Sequence, residues 1–353
     1  MTLDGTKPVR SGEELDLAKL DAYLETQLPD LHGELVVEQF PSGYSNLTYL
    51  LRKGDRELVL RRPPAGVQVK SGHDMAREFK VLTGLHPVFP PAPQPLAYSD
   101  DPSILGVPFY VMERRRGIIV RRSLPETLRG DPPLFRRMCE SLVDCLADLH
   151  AVDYEAAGLH DLGKPDGYVR RQVEGWIARW EKAKLDEVPD MDTVGRWLVA
   201  NMPSESGAAL VHNDYKFDNV MLDAADPTRI VAVLDWEMCT LGDPLMDLGT
   251  ALSYWVQADD DPALVAMAFV ATASPGGLTR REVVARYGER TSRDVSNMLY
   301  YYAFALLKGA VIGQQIFYRY AKGFTKDPRF ARLDHLVRVL AHKAKVSIET
   351  GSY

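Results

Sequence analysis

Between two apolar stretches lies Leu210-Val211-His212-Asn213-Asp214-Tyr215-Lys216-Phe217-Asp218-Asn219-Val220-Met221-Leu222, a loop of pattern His-x-Asp-x-Lys-x-x-Asn. Sixteen residues past Asn219, a hydrophobic run delivers Asp235. A carboxylate, an ammonium, an amide oxygen and a second carboxylate are the groups that phosphoryl transfer asks for. That reaction leaves the protein little covalent work, so its contribution is placement and charge neutralisation. Asp214 would orient an acceptor hydroxyl and take its proton. Lys216 would neutralise charge on the migrating phosphoryl group. Asn219, through its amide oxygen, and Asp235 are hard oxygen ligands suited to Mg²⁺. Four fixed residue types at this spacing would arise by chance on the order of 10⁻³ times in such a chain.

The elements that must carry these residues are legible as periodicities. The first ~30 residues read as a helix ended by Pro29-Asp30, with Leu15, Leu17, Leu20, Tyr23, Leu24 and Leu28 as its apolar positions. Strand-like runs at Glu34–Phe40, Leu47–Arg52 and Glu57–Arg62 form a meander. A helix follows over Asp74–Leu85, then a proline-rich extended segment, then strands near Pro95–Tyr98 and Pro108–Met112. Beyond Gly117 helical patterns dominate: Leu134–His150, Tyr168–Lys184 and Asp192–Asn201. A β island at Ala209–His212, Val220–Leu222 and Ile230–Leu234 interrupts them, and helices resume to about residue 348. A small antiparallel sheet lobe followed by a mostly helical lobe is an α+β arrangement. The expected division is 1–113 and 114–353.

The chain has 353 residues, 46 % of them hydrophobic and 26 % charged, enough for one or two cores without disulfide or metal staples. With 42 basic and 49 acidic residues the formal charge is −7, which argues against broad nucleic-acid binding. The cluster Arg114-Arg115-Arg116 with Arg121-Arg122 reads first as a solvated face. The longest apolar runs, Ala263–Ala271 and Met298–Leu307, fall short of the ~18–20 residues that span a bilayer. No secretory signal is visible at the start. Cys139, Cys145 and Cys239 form no CxxC pair and read as small buried hydrophobes in a reducing compartment. A soluble, cytoplasmic protein is expected, of open oligomeric state.

The loop resembles the catalytic loop of protein kinases, His-Arg-Asp-Leu-Lys-x-x-Asn, and more closely that of the aminoglycoside phosphotransferase and choline kinase group. Ile230-Val231-Ala232-Val233-Leu234-Asp235-Trp236-Glu237, followed by Gly242-Asp243-Pro244-Leu245-Met246-Asp247-Leu248-Gly249, is similar to that group's second signature. The chain also resembles the phosphotransferase domain associated with acyl-CoA dehydrogenases, through Tyr44–Tyr49, Leu58–Pro64 and Tyr300–Phe304, over most of residues 30–340. The resemblance implies a bilobal protein-kinase-like fold with ATP (or GTP) and Mg²⁺ as cofactors. The first lobe would bind nucleotide and the second would hold the catalytic loop and acceptor site. It further implies that Arg61, where the family usually has lysine, meets nucleotide phosphates and pairs with Glu78. Ser42, Gly43 and Ser45 would cover the phosphates, and backbone groups around Met112, Glu113 and Arg114 would meet the adenine. His212 would anchor the loop and Asp247 would hydrogen-bond its backbone. Asp243 would touch metal or substrate, or cap a turn or helix. Gln314, Gln315, Tyr318 and Arg319 would border the acceptor, and the aromatic run from Tyr300 would be core.

The leading expectation is an ATP- and Mg²⁺-dependent kinase of a small hydroxylated molecule, with a hydroxy acid or hydroxyacyl-CoA suggested by the dehydrogenase association. An aminoglycoside-type antibiotic kinase would want an acidic pocket, for which Asp259-Asp260-Asp261 is the available run. A nucleotide-binding pseudokinase is the alternative of a different class; the presence of Asp214, Asn219 and Asp235 argues against it. Transfer to protein hydroxyls is disfavoured, because Asp235 runs to Gly242-Asp243-Pro244 with no room for an activation segment.

Overall fold

The computed structural model describes residues 5–41, 46–64, 74–268 and 270–353. Ser42, Gly43 and Ser45 lie outside the described residues. The chain forms two compact units. One comprises Met1–Ile119, Val152–Leu162 and Asn219–Cys239; the other comprises Val120–Ala151, Gly163–Asp218 and Thr240–Tyr353.

The first unit opens with α1 (Leu17–Gln27), then β1 (Leu35–Gln39), β2 (Leu47–Lys53), β3 (Arg56–Arg62), α2 (Met75–Leu85), β4 (Pro95–Ser99), α3 (Pro102–Leu105) and β5 (Phe109–Glu113). The strands make an antiparallel sheet of order β1-β2-β3-β5-β4. Alternation along the strands sorts the side chains by face. Leu47, Tyr49 and Leu51 of β2, Leu58 and Leu60 of β3, and Phe109 and Val111 of β5 pack with Leu20 and Leu24 of α1. The intervening residues, Val59, Arg61, Tyr110 and Met112, belong to the opposite face, the one that meets α2. Arg62 accordingly bonds Tyr49 Oη and the Glu13 carbonyl, while Arg61 reaches Glu78 of α2. α2 starts behind Asp74, whose carboxylate accepts the Arg77 N–H (3.0 Å).

The expected division at 113/114 did not foresee the later segments of the first unit. Two later segments return to the first unit, and specific contacts hold them there. A Cβ on Gly84 of α2 would stand 2.6 Å from the Ala157 carbonyl and 2.7 Å from the Leu159 side chain, so only glycine lets residues 152–162 come so close. The second segment is a hairpin of β7 and β8, numbered after β6 of the second unit. β7 (Val220–Leu222) pairs with β8 (Ile230–Val233), and the Ile118 N–H donates to the Leu222 carbonyl (2.7 Å). On the far side the Val233 N–H donates to the Pro91 carbonyl (2.9 Å).

The second unit holds α4 (Pro132–His150), α5 (Tyr168–Ala183), α6 (Pro189–Ala200), β6 (Ala209–Val211), β9 (Thr240–Gly242), α7 (Pro244–Tyr254), α8 (Pro262–Ala266), α9 (Arg280–Thr291), α10 (Met298–Ala321) and α11 (Leu333–Thr350). α10 is its axis: Tyr300, Tyr301, Tyr302, Phe304 and Leu306 are all buried, and the helix packs on α5, α6, α7 and α11. The aromatic run is thus core. α7 approaches α10 closely through Gly249, where a Cβ would lie 2.6 Å from the Tyr301 carbonyl. β6 and β9 pair antiparallel and flank the loop on one side and the entry to α7 on the other. Burial pushes the Cys139 and Cys145 thiols up to about 12, which leaves them unreactive. No helix among the described residues is long and apolar enough to cross a membrane.

Two short elements, α3 and β9, have no counterpart in the sequence reading. α6 begins at Pro189 rather than Asp192, because proline with its fixed φ suits the first helical turn.

Candidate active site

In the first unit the expected residues converge on Arg61. Mid-strand placement on β3 fixes its backbone, and only 11 % of its side chain is exposed. Its Nη2 donates to Asp235 Oδ1 (3.0 Å) and lies 3.8 Å from Glu237 Oε2. Its Nε stands 3.4 Å from Glu78 Oε2, an ion-pair distance without hydrogen-bond geometry, so the Nε–H itself is buried unbonded. Burial alone would pull the guanidinium down, but Glu78, then Tyr110 and Asp235, hold it well above its usual value. Arginine therefore stays charged here under all working conditions.

Glu78 is 1 % exposed. Tyr110 Oη donates to its Oε2 (2.9 Å) and Asn46 Nδ2 to its Oε1 (3.3 Å). Burial pushes its carboxyl up, and Arg61 and the tyrosine only partly restore it. The same Asn46 amide also donates to Glu237 Oε2 (2.9 Å). Glu237 is thus a third carboxylate in the cluster. The sequence reading assigned it no role, although it stands only two residues past Asp235.

β8 ends where Asp235 takes a left-handed backbone (φ 66°), turning the chain into a short 3₁₀ turn over Trp236–Met238. Trp236 is buried, its Nε1 donating to the Val233 carbonyl (2.9 Å) and its ring edge-on to Phe89. This anchors the turn and leaves the Asp235 side chain 34 % exposed. The Leu234 N–H donates to the Asn219 carbonyl (2.8 Å), so the hairpin ties Asn219 to the residue preceding Asp235. The Asn219 amide oxygen and the Asp235 and Glu237 carboxylates are oxygen donors of the kind that Mg²⁺ takes. Among the described residues no three His, Cys, Asp or Glu side chains are grouped so as to hold a metal ion.

Met112 and Glu113 end β5. Met112 is buried against Val59, and Glu113 is committed locally: its N–H donates to the Gln94 carbonyl (2.9 Å) and its Oε1 accepts the Gln94 N–H (2.7 Å). The Glu113 N–H is therefore taken by Gln94, and its carboxylate by Gln94 and the Arg115 guanidinium (2.7 Å).

In the second unit, Asp214 is held at both oxygens. Tyr254 Oη, at the end of α7, donates to Oδ1 (2.8 Å), and Lys216 Nζ donates to Oδ2. The ammonium also sits 4.8 Å above the Tyr254 ring and 3.7 Å from Asp218 Oδ1. Burial and the Asp214 charge push the Tyr254 hydroxyl well above its ordinary value, so it remains a donor. Asp218 is pushed up by burial against the pull of Lys216. Tyr254 carries no sequence signal beyond its distance from Asp247, and it was not anticipated.

The loop hangs from Asp247, which is fully buried on α7. Its Oδ2 accepts the His212 N–H (2.6 Å) and meets His150 Nε2 (3.1 Å); its Oδ1 accepts the Asn213 N–H (2.7 Å). Burial pushes this carboxyl up, but His150 and His212 outweigh it and hold it below the usual range. His212 is buried, and its Nδ1 accepts the Asp214 N–H (3.3 Å). Asp243 caps α7 through the Leu245 N–H (2.9 Å) and binds Ser206 N–H and Oγ (2.7 and 2.6 Å). It is a helix cap. Gln314 is buried and donates to the Ala183 carbonyl (3.0 Å), a packing role.

A family model described as "Phosphotransferase enzyme family" matches residues 36–283. Acyl-CoA dehydrogenase family member 11 of Rattus norvegicus is 35 % identical over 327 residues, which is 90 % of this chain and 41 % of that protein. A solved structure from Ralstonia eutropha JMP134, assigned provisionally to the aminoglycoside phosphotransferases, is 30 % identical with a TM-score of 0.80 over 94 % of this chain and 99 % of that one. The aminoglycoside phosphotransferase APH(4)-Ia, solved with AMP-PNP and hygromycin B, shares the fold at 18 % identity, with a TM-score of 0.54 over 91 % of this chain and 98 % of that one. Its motifs, its kinase-like fold and these matches together show that the chain belongs to the phosphotransferase enzyme family.

Proposed function

We propose that the protein moves the γ-phosphate of ATP to a hydroxyl of a small molecule, and that the acceptor is a hydroxy acid or hydroxyacyl-CoA. The observation that carries this reading is Asp214, a carboxylate gripped by Tyr254 and Lys216 with its peptide anchored through His212 and Asp247. Such a carboxylate can accept a hydroxyl proton without moving. Lys216 steadies the carboxylate and offers an ammonium to the migrating phosphoryl group. Arg61, kept charged by Glu78, meets phosphate oxygens, for which its planar fork is suited. Asn219 and Asp235 would hold Mg²⁺, with Glu237 beside them. When bound, that ion neutralises charge on the phosphate oxygens.

The acyl acceptor is supported by the relatives. The chain spans 41 % of the rat protein, which is named as a member of the acyl-CoA dehydrogenase family. The antibiotic reading gains little from its acidic run, whose pocket is lined by Arg338 and Lys343 as well. Asp260 is paired with Arg280 at both oxygens and with Lys343, Asp261 caps α8, and Asp259 binds Gln257. Each of the three carboxylates already has a local partner.

The test is transfer from γ-labelled ATP with Mg²⁺ into a panel of hydroxy acids, hydroxyacyl-CoA thioesters and aminoglycosides, wild type beside Asp214→Ala. A labelled hydroxy acid or thioester formed only by wild type supports the reading. Labelled aminoglycoside in its place refutes the acceptor class. MgATP binding with no transfer to any of them favours a nucleotide-binding module without catalysis.

A further inference from the structure

Lys308 lies in the middle of α10 with only 7 % of its surface exposed, among the side chains that make this helix the axis of its unit. None of the roles above uses it. Its Nζ donates to the Asn213 carbonyl (3.2 Å) and stands 6.0 Å from the centre of the Trp176 ring. Taking an ammonium out of water is costly unless its charge is answered, so an aliphatic residue would be the expected occupant of such a helix position.

Asn213 is where that charge is spent. Its backbone is left-handed (φ 65°), a region few non-glycine residues adopt. The Asp247 carboxylate holds its N–H and Tyr168 Oη donates to its Oδ1 (3.2 Å). Its carbonyl belongs to the same peptide group as the N–H of Asp214. Asp247 therefore holds one end of Asn213, and Lys308 the other. The charges acting on Lys308 are Asp247, from α7, and Asp214 and Lys216, from the loop; among the described residues none on α5, α6 or α11 does so.

We propose that Lys308 is a positioning residue for phosphoryl transfer, its charged ammonium fixing through the Asn213 carbonyl the left-handed peptide that presents Asp214. The inference rests on Asp214 being the base. Burial pushes the ammonium down, and the two carboxylates only partly restore it. A neutral amine is a weaker donor than an ammonium, so raising the pH loosens the peptide before ordinary lysines titrate.

The experiment is steady-state hydrolysis of MgATP, water serving as acceptor, from about pH 6 to about pH 10, spanning the lysine range. It compares wild type, Lys308→Met, Lys308→Arg and Asp214→Asn, each with a thermal melt. Lys308→Met should lose about 100-fold in kcat, the scale of a misplaced catalytic group, at unchanged KM for MgATP, and should show no alkaline decline. Lys308→Arg should recover to within about tenfold of wild type and stay flat at high pH, because guanidinium does not titrate there. An alkaline decline unchanged in Lys308→Arg overturns the inference, as does wild-type kcat in Lys308→Met. If Lys308→Met does not melt cooperatively, the Lys308→Arg profile decides alone. Full activity in Asp214→Asn places the failure in the base assignment instead, and the inference falls with it.

Discussion

Replacing Arg61 by methionine removes the guanidinium beside Glu78 while roughly keeping volume. Glu78, 1 % exposed, would retain Tyr110 Oη at 2.9 Å and Asn46 Nδ2 at 3.3 Å, both neutral donors. Breaking a buried pair from one side costs about 3–5 kcal/mol. The loss is escapable, because Glu78 can take up a proton. Its folded pKa is already raised by burial above the ordinary 4.5 and rises further without Arg61. An acid with a raised folded pKa binds more protons folded than unfolded, so stability falls as pH climbs above the unfolded value. Within that window each pH unit changes stability by about 1.4 kcal/mol. Arg61→Met should therefore be close to wild type near pH 5 and show its full deficit at pH 8. At ~2–4 °C per kcal/mol the deficit corresponds to about 6–20 °C in Tm. The Arg61–Asp235 pair, with the carboxylate a third exposed, is screened by solvent and adds little to the deficit. Circular-dichroism melts at the two pH values measure this, alongside the double variant Arg61→Met/Glu78→Gln, which should regain most of the loss and flatten the pH profile. A deficit equal at both pH values, or a double variant no better than the single one, would refute the reasoning.

Three further outcomes follow from the geometry. Asp214→Asn should cut kcat by about 10²–10⁴ while MgATP affinity, read by calorimetry, stays near wild type; comparable turnover would remove the base. Asp235→Asn should weaken Mg²⁺-dependent nucleotide binding by roughly 10–150-fold, the value of a charged interaction of about 1.5–3 kcal/mol, and leave binding without Mg²⁺ little changed. Unchanged affinity with Mg²⁺ would take Asp235 out of the metal site. Tyr254→Phe deletes one 2.8 Å bond to Asp214 and should lower kcat by about 10–100-fold with an intact melt; a wild-type kcat would show that Lys216 alone suffices.

What could be read from the sequence was whatever depends on residues close together in the chain. The His-x-Asp-x-Lys-x-x-Asn spacing, the strand alternation separating Arg61 from Arg62, and the helix stripe on α4 are all local patterns. The cap at Asp243 was legible because a proline follows it directly. Glu237, Tyr254 and Lys308 were not, since each gains its role from a partner far away in sequence: Asn46 for the first, Asp214 for the second and Asn213 for the third. A tyrosine at the end of α7 or a lysine within an apolar helix looks ordinary until the fold brings its partner near. The grouping of β7 and β8 with the first unit was hidden for the same reason, because only long-range pairing brings them there.

That return has a consequence for how the domain can be cut or shuffled. The chain passes from one unit to the other five times, and one passage falls between Asp218 and Asn219. A gene fragment ending at residue 119 would encode the five-stranded sheet yet lack the hairpin bearing Asn219 and Asp235. A fragment beginning after it would strand that hairpin without Ile118 and Pro91 to receive it. Neither piece is a heritable module. Recombination that preserves the chemistry must carry the phosphotransferase as one cassette, and its two units must be made, and lost, together.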